Sequence, residues 1–324
     1  MKRLISLLLC ALLIVPALAE GAPDFEPIPW DIKVSPNLPN PDCYLPNNGG
    51  YHDDSIDIQI NVTYWTQDLQ QVDAPGEGTT TVMSARVKLT DVSQFRTGFA
   101  NKYPSKQARH VNDMTKRFNA VMGIDGDYCL YHEQGIVVRN GRTLRMRPHK
   151  GRDELIVDEN GDFHLITRTT QAKWDEYIAG GGTVLHAFCF GPALVVDGVP
   201  LTSLDDVTID NGKAKKAQRM VIGQIGKLEY LILTNEGPES TAPKSVGFDL
   251  VQMANLCVQF GLNNAYNLDG GSSSTIALNN QKINSPSSHK NRMVGDCIWF
   301  ATLVKEETWR EKESVQTVEV EENK

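Results

Sequence analysis

Paired turn residues between short apolar runs constrain this chain more than any other feature. Gly135-Ile-Val-Val-Arg139 runs into Asn140-Gly141 and out through Arg142-Thr-Leu-Arg-Met146. The pattern returns at Leu155–Asp158, Glu159–Asp162 and Phe163–Ile166, and again at Leu194–Val196, Asp197-Gly198 and Val199–Leu201. Gly226-Lys227 separates Met220–Ile225 from Leu228–Thr234 in the same way. Asn-Gly and Asp-Gly tolerate positive φ at both central positions of a tight turn, so each unit predicts a β-hairpin. Consecutive hairpins pair antiparallel, which disfavours a parallel doubly wound sheet. The expected fold class is therefore α+β, mostly antiparallel sheet with a few packed helices.

Upstream, Asp57–Tyr64 alternates polar and apolar residues and predicts a half-buried strand, followed by a second at Thr81–Leu89. A helix is expected within Lys106–Asn119, and a stronger one over Val246–Phe260, where Leu250, Met253, Ala254 and Cys257 share a face and Gly261 is placed to end it.

The ends carry their own signals. Lys2 and Arg3, an apolar run from Leu4 to Val15, and Ala17-Leu18-Ala19 predict a cleaved secretory signal over 1–19. The run is too short to span a bilayer, so no membrane span is expected once it is removed, and a secreted or extracytoplasmic location follows. Loss of Lys2 and Arg3 takes the net charge from −8 to −10. An acidic protein without clustered cations is a poor nucleic-acid binder, and Lys213, Lys215 and Lys216 read as a solvated loop. Residues 20–80 read as a lead-in and strand region, 81–304 as the main domain and 305–324 as a charged tail. Five cysteines remain after cleavage, with no C-x-x-C pair, and predict no metal site.

The chemistry-bearing stretch is Asn267-Leu268-Asp269-Gly270-Gly271-Ser272-Ser273-Ser274-Thr275. Asp269 sits at a strand end. Gly270 and Gly271 permit close backbone approach with N–H groups aimed outward as an anion nest, and Ser272 and Ser273 add rotatable donors. A plain Gly/Ser turn is the competing reading. Asp125 and Asp127, two residues apart, share a strand face suited to paired acid chemistry or a divalent cation. Arg219 opens an apolar strand and offers a planar fork to phosphate. His186 is a candidate proton-transfer group or a structural histidine, and Arg292 lies in a polar loop.

The order of these motifs is more informative than any one. Asp125-Gly-Asp127-Tyr128, Phe190-Gly191-Pro192-x-Leu-Val-x-Asp-Gly, Arg219-x-x-x-Gly, a helix, Asn-Leu-Asp269-Gly-Gly-Ser and the late Arg292 together resemble the phosphodiester glycosidase family, over about Thr81 to Val304. Ser272 stands where that family more often has Gly, and Asp125 where it more often has Asn. The resemblance implies hydrolysis at a sugar C1–O–phosphate bond, with a carbohydrate or sugar-phosphate as substrate. Asp269 or Asp127 would face the anomeric carbon, and Arg219 would hold phosphate with Gly270, Gly271 and the serines. Asp125, Tyr128, His186, Gly191 and Arg292 complete the expected substrate contacts. No cofactor is called for, although a divalent cation is compatible with the three aspartates. A glycan-binding protein without activity and a metal-dependent phosphodiesterase are the alternatives.

Overall fold

The structure, a computed structural model, describes residues 25–149, 151–209, 215–240, 244–285 and 291–310. The expected leader, Lys213 and most of the acidic tail lie outside the described residues. No helix among those described is long and apolar enough to cross a membrane.

Three sheets, every pairing antiparallel, form the body. The largest runs Tyr44–Leu45, Gly50–His52, Ile56–Trp65, Thr80–Leu89, Glu229–Asn235, Arg219–Gly226, Asn264–Asn267, Ala193–Val196, Val199–Pro200, with Gln71–Val72 beside Ile56–Trp65. The second runs Phe163–Ile166, Glu154–Val157, His186–Phe188, Gly135–Arg139, Arg142–Arg147. The third runs Gln281–Lys282, Ile276–Leu278, Met122–Asp125, Asp296–Phe300, Phe95–Phe99.

All four expected hairpins are present. Asn140 and Gly141 have φ of 50° and 71°, and Asp197 and Gly198 of 48° and 79°, the left-handed geometry that their turns require. Helix α1 (Val111–Phe118) begins five residues later than the outer limit read from sequence and ends at Asn119, which adopts φ 55°. Helix α2 (Gln171–Ala179), not foreseen, is capped by the Thr170 side chain on the Lys173 amide. Helix α3 (Leu250–Gln259) starts four residues after Val246 because Asp249 and Gln252 form a capping box there. It is followed by Gly261 at φ +80°.

One core joins the sheets. Ile58, Val87 and Ile222 of the first meet Leu155, Val157 and Phe188 of the second and Ile124, Ile298 and Phe300 of the third, all fully buried. Residues up to 80 contribute directly to this body: Ile56–Trp65 pairs along its whole length with Thr80–Leu89, and Tyr51 and Ile58 are core residues. A second apolar cluster lies between α3 and the large sheet, where Val221, Leu250, Met253 and Cys257 pack together. The five described cysteines are free thiols, four of them buried.

Candidate active site

The third sheet determines where the acids meet. Strand Asp296–Phe300 lies between Met122–Asp125 and Phe95–Phe99, and the Gly126 amide donates to the Asp296 carbonyl at 3.1 Å. The Asp269 amide in turn donates to the Gly126 carbonyl at 3.2 Å. Gly126 is therefore the hub. A Cβ there would stand 2.4 Å from the Asp296 carboxyl carbon, so only glycine fits.

Asp127 is fully buried and saturated with donors. Its Oδ1 accepts from Arg139 Nη2 at 2.7 Å and the Cys129 amide at 3.2 Å, and its Oδ2 from the Cys189 amide at 2.8 Å. Burial pushes its carboxyl up, but the Arg139 charge and these donors outweigh that and hold it below the usual aspartate value. Asp296 accepts from the same Arg139 Nη2 at 3.2 Å. Burial and the neighbouring Asp127 charge raise Asp296, so the proton in this pair resides on Asp296 and Asp127 carries the charge. Arg139 also donates to the Ala187 carbonyl and lies over the Phe188 ring, 4.4 Å from its centroid.

Asp125 is fully buried beside Asp269. Its Oδ1 accepts from the Thr275 amide at 2.8 Å, while Oδ2 has no partner among the described residues. Burial, then the Asp269 charge, raises its pKa well above normal, which makes it a neutral acid. Ser274 Oγ, Thr275 Oγ1 and Asn267 Oδ1, on the segments flanking Asp269, are likewise buried without a described partner. Such unpaired groups are rare in folded proteins and are expected where a ligand or water completes them.

Asp269 differs from the other three acids. At 9% exposure, against 0% for Asp125 and Asp127 and 2% for Asp296, it is the one carboxylate of the group that approaches solvent. Burial pushes it up to about 6, and the Ser273 hydroxyl, the Arg292 charge and the Gly270 amide restrain the rise. Arg292 Nη1 donates to Ser273 Oγ at 3.1 Å and its guanidinium lies 5.5 Å from the Tyr128 ring centroid. Tyr128, at φ 60°, stacks on Tyr131 at 4.4 Å.

Several sequence expectations take a different form. Gly270 and Gly271 do not present an outward nest: the first amide donates to Asp269 Oδ1 at 2.9 Å and the second to the Gln218 carbonyl at 2.9 Å, so they orient the acid. Ser272 is half-buried on the same turn. Arg219 turns to the α3 face with Val221, donating to the Lys215 carbonyl at 2.6 Å; burial lowers its pKa to about 10, and the Asp249 charge opposes that fall. His186 is fully buried; Asn140 donates its amide to Nδ1 at 3.2 Å and Nε2 faces the Phe95 carbonyl at 3.2 Å. Burial and the Arg139 charge keep it neutral, so it braces the strands and carries no proton to a substrate. Gly191, at φ +75°, positions its carbonyl for Asn267 Nδ2 at 2.8 Å and supports the Asp269 strand from behind.

Arg139 and Asp296 were not legible as site residues in the sequence. The former looks like an ordinary residue before a turn and the latter like the polar start of a strand. Only the meeting of the second and third sheets brings them together at Asp127. Asp127, Cys129 and Asp296 also offer three ligand atoms within 4.8 Å of one another. Arg139 already supplies the positive charge at that point, so a divalent ion would have to displace it.

The family model for phosphodiester glycosidases matches residues 118–301, from the end of α1 through the Asp296 strand. This chain belongs to the phosphodiester glycosidase family. No curated protein matches it. Among solved structures, it is similar to the catalytic domain of zebrafish N-acetylglucosamine-1-phosphodiester alpha-N-acetylglucosaminidase, auto-inhibited by its pro-peptide, with a TM-score of 0.59 and 14% identity over 76% of this chain and 84% of that one. A hypothetical protein from Synechocystis is similar at a TM-score of 0.51 and 13% identity, covering 76% of this chain and 62% of that one. At these identities the likeness is one of fold. All four clustered aspartates, Arg139 and Arg292 fall inside the matched span of the phosphodiester glycosidase domain.

Proposed function

We propose that this phosphodiester glycosidase is an exported hydrolase that cleaves the glycosidic bond of a sugar-1-phosphodiester, with Asp269 as the carboxylate that faces the anomeric carbon. The carrying observation is that Asp269 alone, of four converging aspartates, is near solvent while a neutral acid lies behind it and an arginine beside it. Ionised Asp269 serves as nucleophile, or as base for water, and stabilises positive charge on the sugar ring in an oxocarbenium-like transition state. Phosphate is a good leaving group and needs little proton donation. Arg292 and the Ser272 hydroxyl would take up its negative charge, while Ser273 stays bonded to Asp269, and Tyr128 would offer a ring face to the sugar. Asp127, locked by Arg139, is a positioning residue in this scheme and not the group that attacks. Arg219, held on the α3 face, has no step in it.

Incubation with a panel of sugar-1-phosphodiesters, followed by product analysis, tests the reading. Free sugar plus phosphomonoester is expected. Sugar phosphate plus alcohol would instead mean P–O cleavage, and no product would mean a binding protein. Arg292→Ala should raise KM for such a substrate about tenfold, the weight of one charge-assisted contact.

A further inference from the structure

A cavity of about 850 Å³ lies away from Asp269, between the segment around Trp30, the edge strand Phe95–Phe99 and the hairpin turn at Asn140-Gly141. Its size falls within the ~300–1,000 Å³ typical of small-molecule sites. Its wall runs against the acidic balance of the chain. Lys33, Lys102, Arg117 and Arg142 are exposed on its wall against a single acid, Asp31, in a chain whose net charge is −8. Such a local reversal of sign focuses a positive potential on the cavity. Trp30, Phe99 and Tyr103 stand half-buried among these cations, with Phe99 and Tyr103 packed at 5.3 Å. Flat rings beside cations suit a ligand that alternates apolar sugar faces with negative groups.

The cavity is connected to the site by shared residues. Arg139 forms part of its wall while its guanidinium clamps Asp127 and Asp296. Between the two places, Tyr103 and Tyr131 pack on the same Cys129–Leu130 cluster, and Tyr131 continues through Tyr128 to Arg292. We infer that the cavity is a distal subsite for a polyanionic glycan, a chain of sugars bearing repeated phosphates, one linkage of which is presented to Asp269. This inference rests on the proposed activity and narrows its substrate from a single capped sugar to a polymer.

Binding is best measured on the Asp269→Asn protein, so that no turnover intervenes. The probes are an oligosaccharide joined by 1-phosphodiester linkages, a phosphate-free oligosaccharide of equal length, and inorganic phosphate. The phosphodiester-linked chain should bind, weaken with added salt, and lose about tenfold or more in affinity when Lys33→Glu, Lys102→Glu and Arg142→Glu are combined on that background. The three side chains are exposed, so thermal unfolding should be unaltered. With Asp269 intact, the triple variant should hydrolyse a small sugar-1-phosphodiester at the normal rate while its KM for the polymer rises. Equal binding of the neutral chain, unchanged affinity in the triple variant, or displacement by inorganic phosphate at equal concentration would each overturn the subsite. Failure of the wild type to release sugar from any substrate would refute the activity and leave these affinity comparisons standing.

Discussion

Replacing Asp269 by Asn should make the protein inactive and, at neutral pH, more stable. Burial holds this carboxyl at about 6, against about 3.9 for a free aspartate. At about 1.4 kcal/mol per pH unit, keeping it ionised costs the fold about 3 kcal/mol. The sign follows from the raised value: the folded state favours the protonated form, so stability begins to fall as pH rises past ~4 and the loss is complete above about 6. Asn cannot ionise and escapes that loss. It accepts less strongly from the Gly270 amide and Ser273, which returns about 1 kcal/mol. The variant should therefore equal or fall slightly below the wild type near pH 4.5 and exceed it by about 1–2 kcal/mol at pH 7.5. Urea unfolding at both pH values, read beside turnover, measures this directly. Turnover should drop about a hundredfold or more. A stability difference that does not change between the two pH values would refute the electrostatic argument, and near-normal turnover would remove Asp269 from the chemistry.

Other outcomes follow from the same geometry. The rate against pH should rise through about 6 and level off above it, as Asp269 ionises; a profile flat from pH 5 to 8 would contradict its role. Arg139→Met should destabilise by about 3–5 kcal/mol, because Asp127 is left charged and buried, and adding Asp127→Asn should recover much of that in denaturant titrations. Gly126→Ala drives a methyl to 2.4 Å from the Asp296 carboxyl carbon, which should cost about 1–3 kcal/mol and lower turnover more than tenfold in steady-state assays. His186→Phe should cost about 1–3 kcal/mol by unpairing the Asn140 amide and Phe95 carbonyl, yet leave the pH profile of the folded enzyme in place.

Local chemistry was readable and non-local pairing was not. Asn140-Gly141 and Asp197-Gly198 announce their hairpins because positive φ is a property of two residues alone. Asp269-Gly-Gly-Ser stood out because a carboxylate followed by two glycines is unusual at a strand end. The direction of the Gly270 and Gly271 amides, however, depends on the neighbouring Gln218 carbonyl and Asp269 itself. Arg219 was misleading because Met220 and Ile222 face one core and Val221 another, so both sides of that strand are apolar and sequence alternation does not assign the arginine to either. Arg139 and Asp296 acquire meaning only once two residues 157 apart in the chain, on strands of different sheets, come within hydrogen-bond reach. The glycine between Asp125 and Asp127 was the one local trace of that meeting.

The placement of Asp296–Phe300 in the middle of its sheet has a bearing on biosynthesis. Its two neighbours, Phe95–Phe99 and Met122–Asp125, leave the ribosome about 200 and about 170 residues earlier and must wait with a vacant slot between them. Until that strand arrives, Asp127 and Arg139 lack Asp296, and the Gly126 amide lacks its acceptor. The Asp127–Arg139–Asp296 clamp and the Gly126 bond to Asp296 therefore close only when one of the last described strands slides between two that were made long before it.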